Sequence, residues 1–298
     1  MVFIPLLGAA TLLILFVSGN NASACVGNLI GARVVSLRSA LALEVIGVSA
    51  GLGFQGNSMV SAAVNLSDGI SQLLITMIIG VTAALFVGAH YVRIPVSLTY
   101  VLPMLLVGVS LSFGSYFLHM LVLWTLAPLA ALLITPVFTK KLAAVSLKNV
   151  WSKVQISKAL LLVTSFLFAF VLGANTVGLI VGVEGFNFIS VSFAVAAVIL
   201  GTLFFSAGEI RRISIDVFNL GYTNAMSSML SATILVEIST LIGVPMSNTV
   251  LQTTGVISAG MSYKDKFFSL KPFVLIIASW FLFPGIAAAA GVILHMLL

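Results

Sequence analysis

The sequence contains two similar short stretches, IPVSLT at residues 94–99 and VPMSNT at residues 244–249. Each places a proline and then two hydroxyl side chains inside an otherwise apolar region. Proline suits the first turn of a helix, because its missing N–H has no intrahelical partner there. Each stretch therefore predicts a helix that starts within an apolar region, where free backbone amides and hydroxyl groups lie together.

A second pair of polar interruptions precedes the two prolines, in the same order in each half. SGNN contains Asn20, GANT contains Asn175, and the prolines that follow them are Pro95 and Pro245. The two intervals are 75 and 70 residues. Two different motifs in the same order at nearly the same interval indicate an internal repeat. Paired segments interrupted by Gly and Pro in two halves are typical of transporters built from such repeats.

Composition places the chain in a membrane. Hydrophobic residues make up 61% of its 298 residues and charged residues only 7%, whereas soluble domains carry about 25% charged residues. Apolar runs close to the bilayer-spanning length of about 20 residues recur along the whole chain. We therefore predict an all-α, polytopic membrane protein with two inverted repeats and re-entrant or broken helices. The first transmembrane repeat covers residues 1–139, a basic cytoplasmic loop covers 140–158, and the second repeat covers 159–298.

The net charge of +6 indicates membrane topology rather than binding to nucleic acid. Five of the thirteen basic residues lie in one central stretch: Lys140, Lys141, Lys148, Lys153 and Lys158. Short loops rich in Lys and Arg stay on the cytoplasmic side of a membrane. The sequence thus predicts a multi-pass protein of the cytoplasmic (cell) membrane. Its central loop lies inside the cell, and its partners are the lipid bilayer and a solute rather than nucleic acid.

Polar groups at membrane depth indicate a site for an anion. We expect Gly19, Asn20 and Asn21 to interrupt a helix, because non-helical backbone persists in a membrane only against protein or a water-filled cavity. The second half of a broken helix presents free N–H groups and a positive dipole end, which attract anions. Ordinary helix capping is the alternative role for these side chains. Their arrangement in two matched pairs favours the binding site.

The same residues resemble a known family. The segment SGNNASACVGNLIGARVVSLRSA looks like the first signature of the inorganic phosphate transporter (PiT) family, which begins Gly-Ala-Asn-Asp-Val-Ala-Asn, and GANTVG resembles its second copy. IPVSLT and VPMSNT resemble the Pro-Val-Ser-Thr-Thr-His elements of that family. The resemblance implies inverted repeats, re-entrant half-helices and oxyanion uptake coupled to a cation, usually by a homodimer. On the family's pattern, Asn20, Ser97, Thr99, Asn175, Ser247 and Thr249 correspond to site positions, and with Asn21, Thr176 and Asn248 they form the predicted substrate-binding set.

The chain departs from the family at charged positions. The motif aspartate is Asn21 in the first copy and Thr176 in the second, and the histidine of the proline element is Tyr100 or Val250. In the family those aspartates are associated with the coupling cation, so their loss weakens the expectation of sodium coupling. A site of Asn, Ser and Thr donates hydrogen bonds well and discriminates poorly against sulfate, which only accepts them. A sulfate permease of the same fold is therefore the alternative to a phosphate transporter.

Uptake of a dianion needs coupling to a cation. Moving two negative charges inward against about 100 mV costs about 4.6 kcal/mol, at roughly 2.3 kcal/mol per charge. Co-transported Na⁺ or H⁺ offsets this cost, and we expect no other cofactor and no resident metal. The coupling candidates are Glu44, Glu237, Asp68 and Asp216, of which the two aspartates form a matched pair. Capping is the alternative role for the aspartates, and structural pairing is the alternative for the glutamates.

Two other classes of function fit less of the sequence. Residues 47–51 match the Gly-x-Ser-x-Gly pattern of hydrolases, which needs a strand–turn–helix context. Here the pattern lies in an apolar run, where small residues allow close helix packing. The sequence contains neither an HExxH motif nor a Walker loop, so we expect no enzyme. An anion channel also uses broken helices and remains an alternative to a carrier.

Overall fold

A computed structural model of the protein describes residues 4–92, 96–144, 149–216, 221–262 and 271–297. Every secondary-structure element in these residues is helical. The helices are α1 (Ile4–Gly31), α2 (Leu37–Gln55), α3 (Val60–Ser67), α4 (Gln72–Val92), α5 (Leu98–Ser110), α6 (Ser115–Ala143), α7 (Val150–Leu172), α8 (Gly178–Glu184), α9 (Phe188–Asp216), α10 (Tyr222–Leu241), α11 (Asn248–Ser262) and α12 (Lys271–Leu297). A short 3₁₀ helix, Gly56–Met59, joins α2 to α3.

Seven helical stretches of the described chain are long and apolar enough to cross a bilayer. They are Ile4–Gly31, Leu37–Ser67, Gln72–Tyr91, Ser115–Ala143, Trp151–Glu184, Phe188–Ser206 and Ile276–Leu297. Large hydrophobic side chains such as Leu133 and Phe281 are exposed on these stretches, where a membrane protein meets lipid. The prediction of an all-helical, multi-pass membrane protein is confirmed.

Helices of the two halves pack on one another instead of forming two separate bundles. α1 packs along α9, and α2 packs along α7. α5 packs along α12, and α6 packs along α11. Each pair joins one helix of the first half to one of the second. By the order of the sequence motifs, α1 corresponds to α7 and α5 corresponds to α11. The motif-bearing helix therefore comes from the first half in two of the pairs and from the second half in the other two. This arrangement fits two related halves, and their inverted orientation stays a prediction.

Glycines allow α2 and α7 to approach each other at backbone distance. A Cβ added at Gly51 would overlap the carbonyl oxygen of Phe170, and one added at Gly173 would overlap that of Val48. Gly47, one turn before Gly51, also faces α7. The Gly-x-Ser-x-Gly stretch is therefore a helix-packing surface, as the sequence predicted.

The first-half signature does not break its helix. The expected interruption at residues 19–21 is wrong, because α1 is continuous through this stretch. Gly19 instead lets α9 approach, since an added Cβ would lie 2.5 Å from that of Phe205. The carboxamide of Asn21 donates to the carbonyl oxygen of Val17, one turn earlier in the same helix, at 2.9 Å. Side-chain bonding within α1 thus satisfies a polar group that we expected to mark a break.

The second-half signature distorts its helix without ending it. Gly173–Val177 forms one turn of π-helix between α7 and α8. Such a turn inserts one extra residue into the helical bonding pattern, and it occurs frequently at functional sites. The two copies of the signature therefore differ in backbone conformation although they are similar in sequence.

The basic stretch at residues 140–158, predicted as a cytoplasmic loop, is mostly helical where the structure describes it, and its role as the connection between the two repeats stays a prediction. Lys140 and Lys141 lie in the last turn of α6, and Lys153 lies in the first turn of α7. Cations in the last turn complement the negative end of a helix dipole, which favours continuation of α6 into this stretch. Lys148 lies outside the described residues.

Candidate functional site

The two proline elements precede short helices that begin inside the protein. α5 has 13 residues and α11 has 15, fewer than a bilayer crossing needs. Ser97 and Ser247, which stand directly before them, are both buried. α11 folds back along α10, and Gly255 lies against the backbone of Ser228. α10 and α11 therefore form a helical hairpin, and we call residues 242–247 the hairpin tip.

Four hydroxyl groups from the two elements meet at one point. Ser97 Oγ lies 2.8 Å from Ser247 Oγ, although 150 residues separate them in sequence. Each serine oxygen also lies 3.1 Å from the hydroxyl oxygen two residues later, in Thr99 or Thr249. Ser247 Oγ accepts a hydrogen bond from the backbone N–H of Val250 in the first turn of α11. We call Ser97, Thr99, Ser247 and Thr249 the hydroxyl cluster.

The signature asparagines hold the proline element of their own half. Asn20 Nδ2 donates to the carbonyl oxygen of Val96 at 3.2 Å. Asn175 Nδ2 donates to the carbonyl oxygen of Val244 at 3.2 Å, and Asn175 Oδ1 accepts from the backbone N–H of Met246 at 2.9 Å. Asn175 thus binds both sides of Pro245, the proline of the hairpin tip.

Asn21 and Thr176 are buried, and within the described chain no hydrogen bond joins either of them to the hydroxyl cluster. Asn21 bonds within α1, and Thr176 lies in the π-helical turn. These are the positions at which the family carries aspartate. The cluster therefore consists of hydroxyl groups and backbone N–H groups, with no carboxylate bonded to it among the described residues.

One turn of α11 carries amide groups that have unused hydrogen-bonding capacity. Asn248 is 2% exposed, and neither its Oδ1 nor its Nδ2 has a hydrogen-bond partner among the described residues. Gln252, four residues later, donates from Nε2 to the carbonyl oxygen of Ala24 at 2.8 Å, whereas its Oε1 is also unpartnered. Buried amides are almost always satisfied by protein, water or a ligand. Gln252 is not among the site residues predicted from the sequence, although its spacing of four residues from Asn248 could have indicated it.

The two glutamates predicted to couple transport occupy different environments. Glu44 is fully buried in α2 beside Cys25 of α1, and both of its carboxyl oxygens lack a partner among the described residues. Glu237, in α10, is partly exposed, and its Oε1 accepts from Gln55 Nε2 at 2.7 Å. Among the described residues, Glu237 thus has a partner for one carboxyl oxygen, while its Oε2 is buried without one, and Glu44 has a partner for neither.

Of the two aspartates, only Asp68 has a described side chain, and no described hydrogen bond joins it to the hydroxyl cluster. Asp68 follows α3 and is exposed. It borders a pocket of about 220 Å³ together with Asn65 and Tyr116. Asp216 is the last residue of α9, and its side chain lies outside the described part of the chain.

Comparisons with known proteins agree with this architecture. No protein-family model matches the chain. Over 292 residues, 96% of this chain and 94% of the other, the sequence is 25% identical to a protein of Methanocaldococcus jannaschii named a putative phosphate permease. A solved structure described as the sodium-dependent phosphate transporter matches 99% of this chain and 98% of that one, with a TM-score of 0.83 and 15% identity. The protein has a phosphate-transporter fold. The resemblance to the inorganic phosphate transporter family is thus supported along the whole chain.

Within this phosphate-transporter fold, the contact between Ser97 and Ser247 can be tested without any transport assay. Cys25 is the only cysteine, so a Cys25→Ala background that carries Ser97→Cys and Ser247→Cys contains one defined thiol pair. Because the two serine oxygens are 2.8 Å apart, we expect an oxidant to join the new thiols and abolish their labelling by a maleimide. The control pair combines Ser97→Cys with Ser192→Cys, since Ser192 is exposed on α9. Full labelling of the first pair after oxidation would show that the two elements do not meet.

Proposed function

We propose that the protein is a secondary active transporter that carries inorganic phosphate across the cytoplasmic membrane by symport with a cation. The observation that carries the proposal is the meeting of Ser97 and Ser247, from the two halves of one multi-pass protein. Helix N-termini attract anions through free N–H groups and a positive dipole end. An oxyanion that replaces the serine–serine hydrogen bond would accept from both elements at once. The similarity to a phosphate permease and the fold of a phosphate transporter support phosphate as the substrate.

Sulfate is the second candidate, and one observation favours it. Among the described residues, no carboxylate is bonded to the hydroxyl cluster, whereas phosphate near neutral pH carries a proton that gains from an acceptor. The acceptors of the cluster itself are hydroxyl oxygens, and Asn248 Oδ1, in the first turn of α11, has no partner among the described residues. Competition between phosphate and sulfate for uptake measures which of the two anions the site prefers.

Glu44 is the coupling residue that we propose. An isolated, ionised carboxylate is costly to bury, so its charge needs a proton or a bound cation as compensation. Glu44 is fully buried without a hydrogen-bond partner among the described residues, whereas Glu237 is partly exposed and bonded to Gln55. A proton or Na⁺ carried at Glu44 would offset part of the charge of the entering anion.

The rest of the proposal concerns arrangement in the membrane. The lysines at the end of α6 and the start of α7 favour a cytoplasmic position for this end of both helices. The halves would be inverted repeats, and one half would move against the other around the hydroxyl cluster. The family resemblance adds a homodimer to the proposal.

Transport by purified protein in liposomes tests the function directly. We expect saturable uptake of labelled phosphate that needs an inward gradient of Na⁺ or H⁺, with excess sulfate as competitor. Running each cation gradient alone identifies the coupling ion. Absence of uptake for both anions would contradict the transporter proposal. Flux that follows voltage and ignores both gradients would indicate the anion channel instead.

We expect Glu44→Gln to uncouple transport while exchange of internal for external phosphate continues. Losing one coupled charge at 100 mV removes about 2.3 kcal/mol of driving force, so the accumulation ratio should fall roughly 50-fold. Glu184→Gln is the matched control, because Glu184 lies at the end of α8 and accepts from Ser190 Oγ at 2.7 Å. Equal accumulation by wild type and Glu44→Gln would remove Glu44 as the coupling residue.

A further inference from the structure

Helix α6, from the first half, holds the hairpin tip of the second half at two backbone carbonyls. The hydroxyl of Tyr116 donates to Gly243 O at 2.6 Å, and Trp124 Nε1 donates to Pro245 O at 2.9 Å. Gly243 has a φ of +69°, which glycine adopts without the strain that a side chain would add. Carbonyl groups in a non-helical turn lack helical partners, and Tyr116, Trp124 and Asn175 supply donors to three carbonyls of the tip.

Trp124 also contacts the proline element of the first half. Its ring lies 4.4 Å, centroid to centroid, from that of Tyr100, the residue directly after Thr99. Phe117 packs edge-on against the indole at 6.1 Å. The buried indole therefore extends from the residue beside Thr99 to the proline two residues before Ser247. No other side chain with a described hydrogen bond to the tip has a described ring contact with Tyr100.

The indole has space beside it. Trp124 and Tyr100 border a cavity of about 620 Å³, whose lining also includes Trp280 and Pro284 of α12 and Val250 of α11. A side chain that borders a cavity can change rotamer without displacing tightly packed neighbours. Rotation of the indole into the cavity would release the carbonyl of the hairpin tip.

We propose that Trp124 is a positioning residue that holds the two proline elements in register, and that its hydrogen bond to Pro245 breaks when the hairpin moves. The consequence for substrate affinity rests on the proposed transport function. The register of the two elements can be tested independently of that function, because cross-linking between residues 97 and 247 measures it without any substrate.

The first test introduces Trp124→Phe into the cross-linking background, which removes the N–H donor and keeps an aromatic ring against Tyr100. We expect oxidative cross-linking between residues 97 and 247 to become about fivefold slower, the change that corresponds to one hydrogen bond of ordinary net strength. Tyr116→Phe, which removes the other bond from α6 to the tip, should slow it in the same direction. Trp280→Phe is the control, because Trp280 borders the same cavity from α12.

A rate in Trp124→Phe equal to that in Trp280→Phe would overturn the inference, and so would slowing by Tyr116→Phe alone. In transport, Trp124→Phe should raise the half-saturating phosphate concentration about fivefold without lowering the maximal rate, because the bond holds the site and must break during the cycle. A variant with a lower maximal rate and unchanged half-saturation would also contradict it. If the wild type carries neither phosphate nor sulfate, the proposed function fails, and the cross-linking rates still decide the role of Trp124.

Discussion

Replacing Asn175 by leucine is expected to weaken phosphate binding strongly and to destabilise the protein. The carboxamide of Asn175 is fully buried and bonds the backbone on both sides of Pro245, with a further bond from Nδ2 to Thr240 Oγ1 at 2.9 Å. Its loss leaves the buried N–H of Met246 without this acceptor, and each such group costs about 1–3 kcal/mol. A total loss of about 3 kcal/mol corresponds to roughly 100-fold in phosphate affinity if it appears in binding.

The matched control for Asn175 is the equivalent asparagine of the first half. Asn20 is partly exposed and makes one described hydrogen bond, to Val96 O. We therefore expect Asn20→Leu to cost about 1 kcal/mol, roughly fivefold in affinity. Counterflow at a series of phosphate concentrations and thermal unfolding in detergent measure the two effects. Equal effects of the two substitutions would show that the hairpin tip does not depend on Asn175.

Adding one methyl group at Gly51 is expected to prevent α2 and α7 from packing. The new Cβ of Gly51→Ala would overlap the carbonyl oxygen of Phe170, a backbone atom that cannot rotate away. Overpacking a well-packed interior costs about 1–3 kcal/mol and sometimes more, and two helix backbones would have to separate here. We expect the protein to unfold at a clearly lower temperature in detergent, or to fail to accumulate in the membrane.

Gly53 provides a control two residues away in the same helix. A Cβ at Gly53 would have no atom within 4 Å, so Gly53→Ala changes helix propensity alone. Alanine favours a helix over glycine by about 1 kcal/mol, and this variant should therefore unfold at a slightly higher temperature than the wild type. If both variants unfold at the same temperature, the close approach of α2 to α7 is not what limits substitution at Gly51.

The sequence predicted the features that follow from pattern and composition. The membrane class follows from apolar length, and the pairing of residues 94–99 with 244–249 follows from the internal repeat. Because an axis relates the two halves of a repeat, equivalent elements that lie close to this axis can contact each other. The contact between Ser97 and Ser247 is the structural counterpart of that pattern.

The prediction of a helix break at residues 19–21 failed because the protein accommodates the Gly and Asn residues there within a continuous helix. Gly19 and Asn21 were expected to break the helix, but Asn21 donates a hydrogen bond within α1 and Gly19 allows α9 to pack closely. Trp124 was not found because its partners lie 121 residues ahead in the chain and on the preceding helix. Contacts between distant helices leave no periodic signal in a single sequence, so only the structure revealed the indole that joins the two proline elements.

The packing of first-half helices on second-half helices has a consequence for how the protein folds during its synthesis. Gly108 of α5 lies against Gly291 of α12, and α12 is synthesised after all the other described helices. A nascent chain that has inserted only α1–α6 therefore has a short helix, α5, that lacks the surface it will finally cover. Domains synthesised first ordinarily fold first, but here the packing surface of α5 is completed only after α12 has been synthesised.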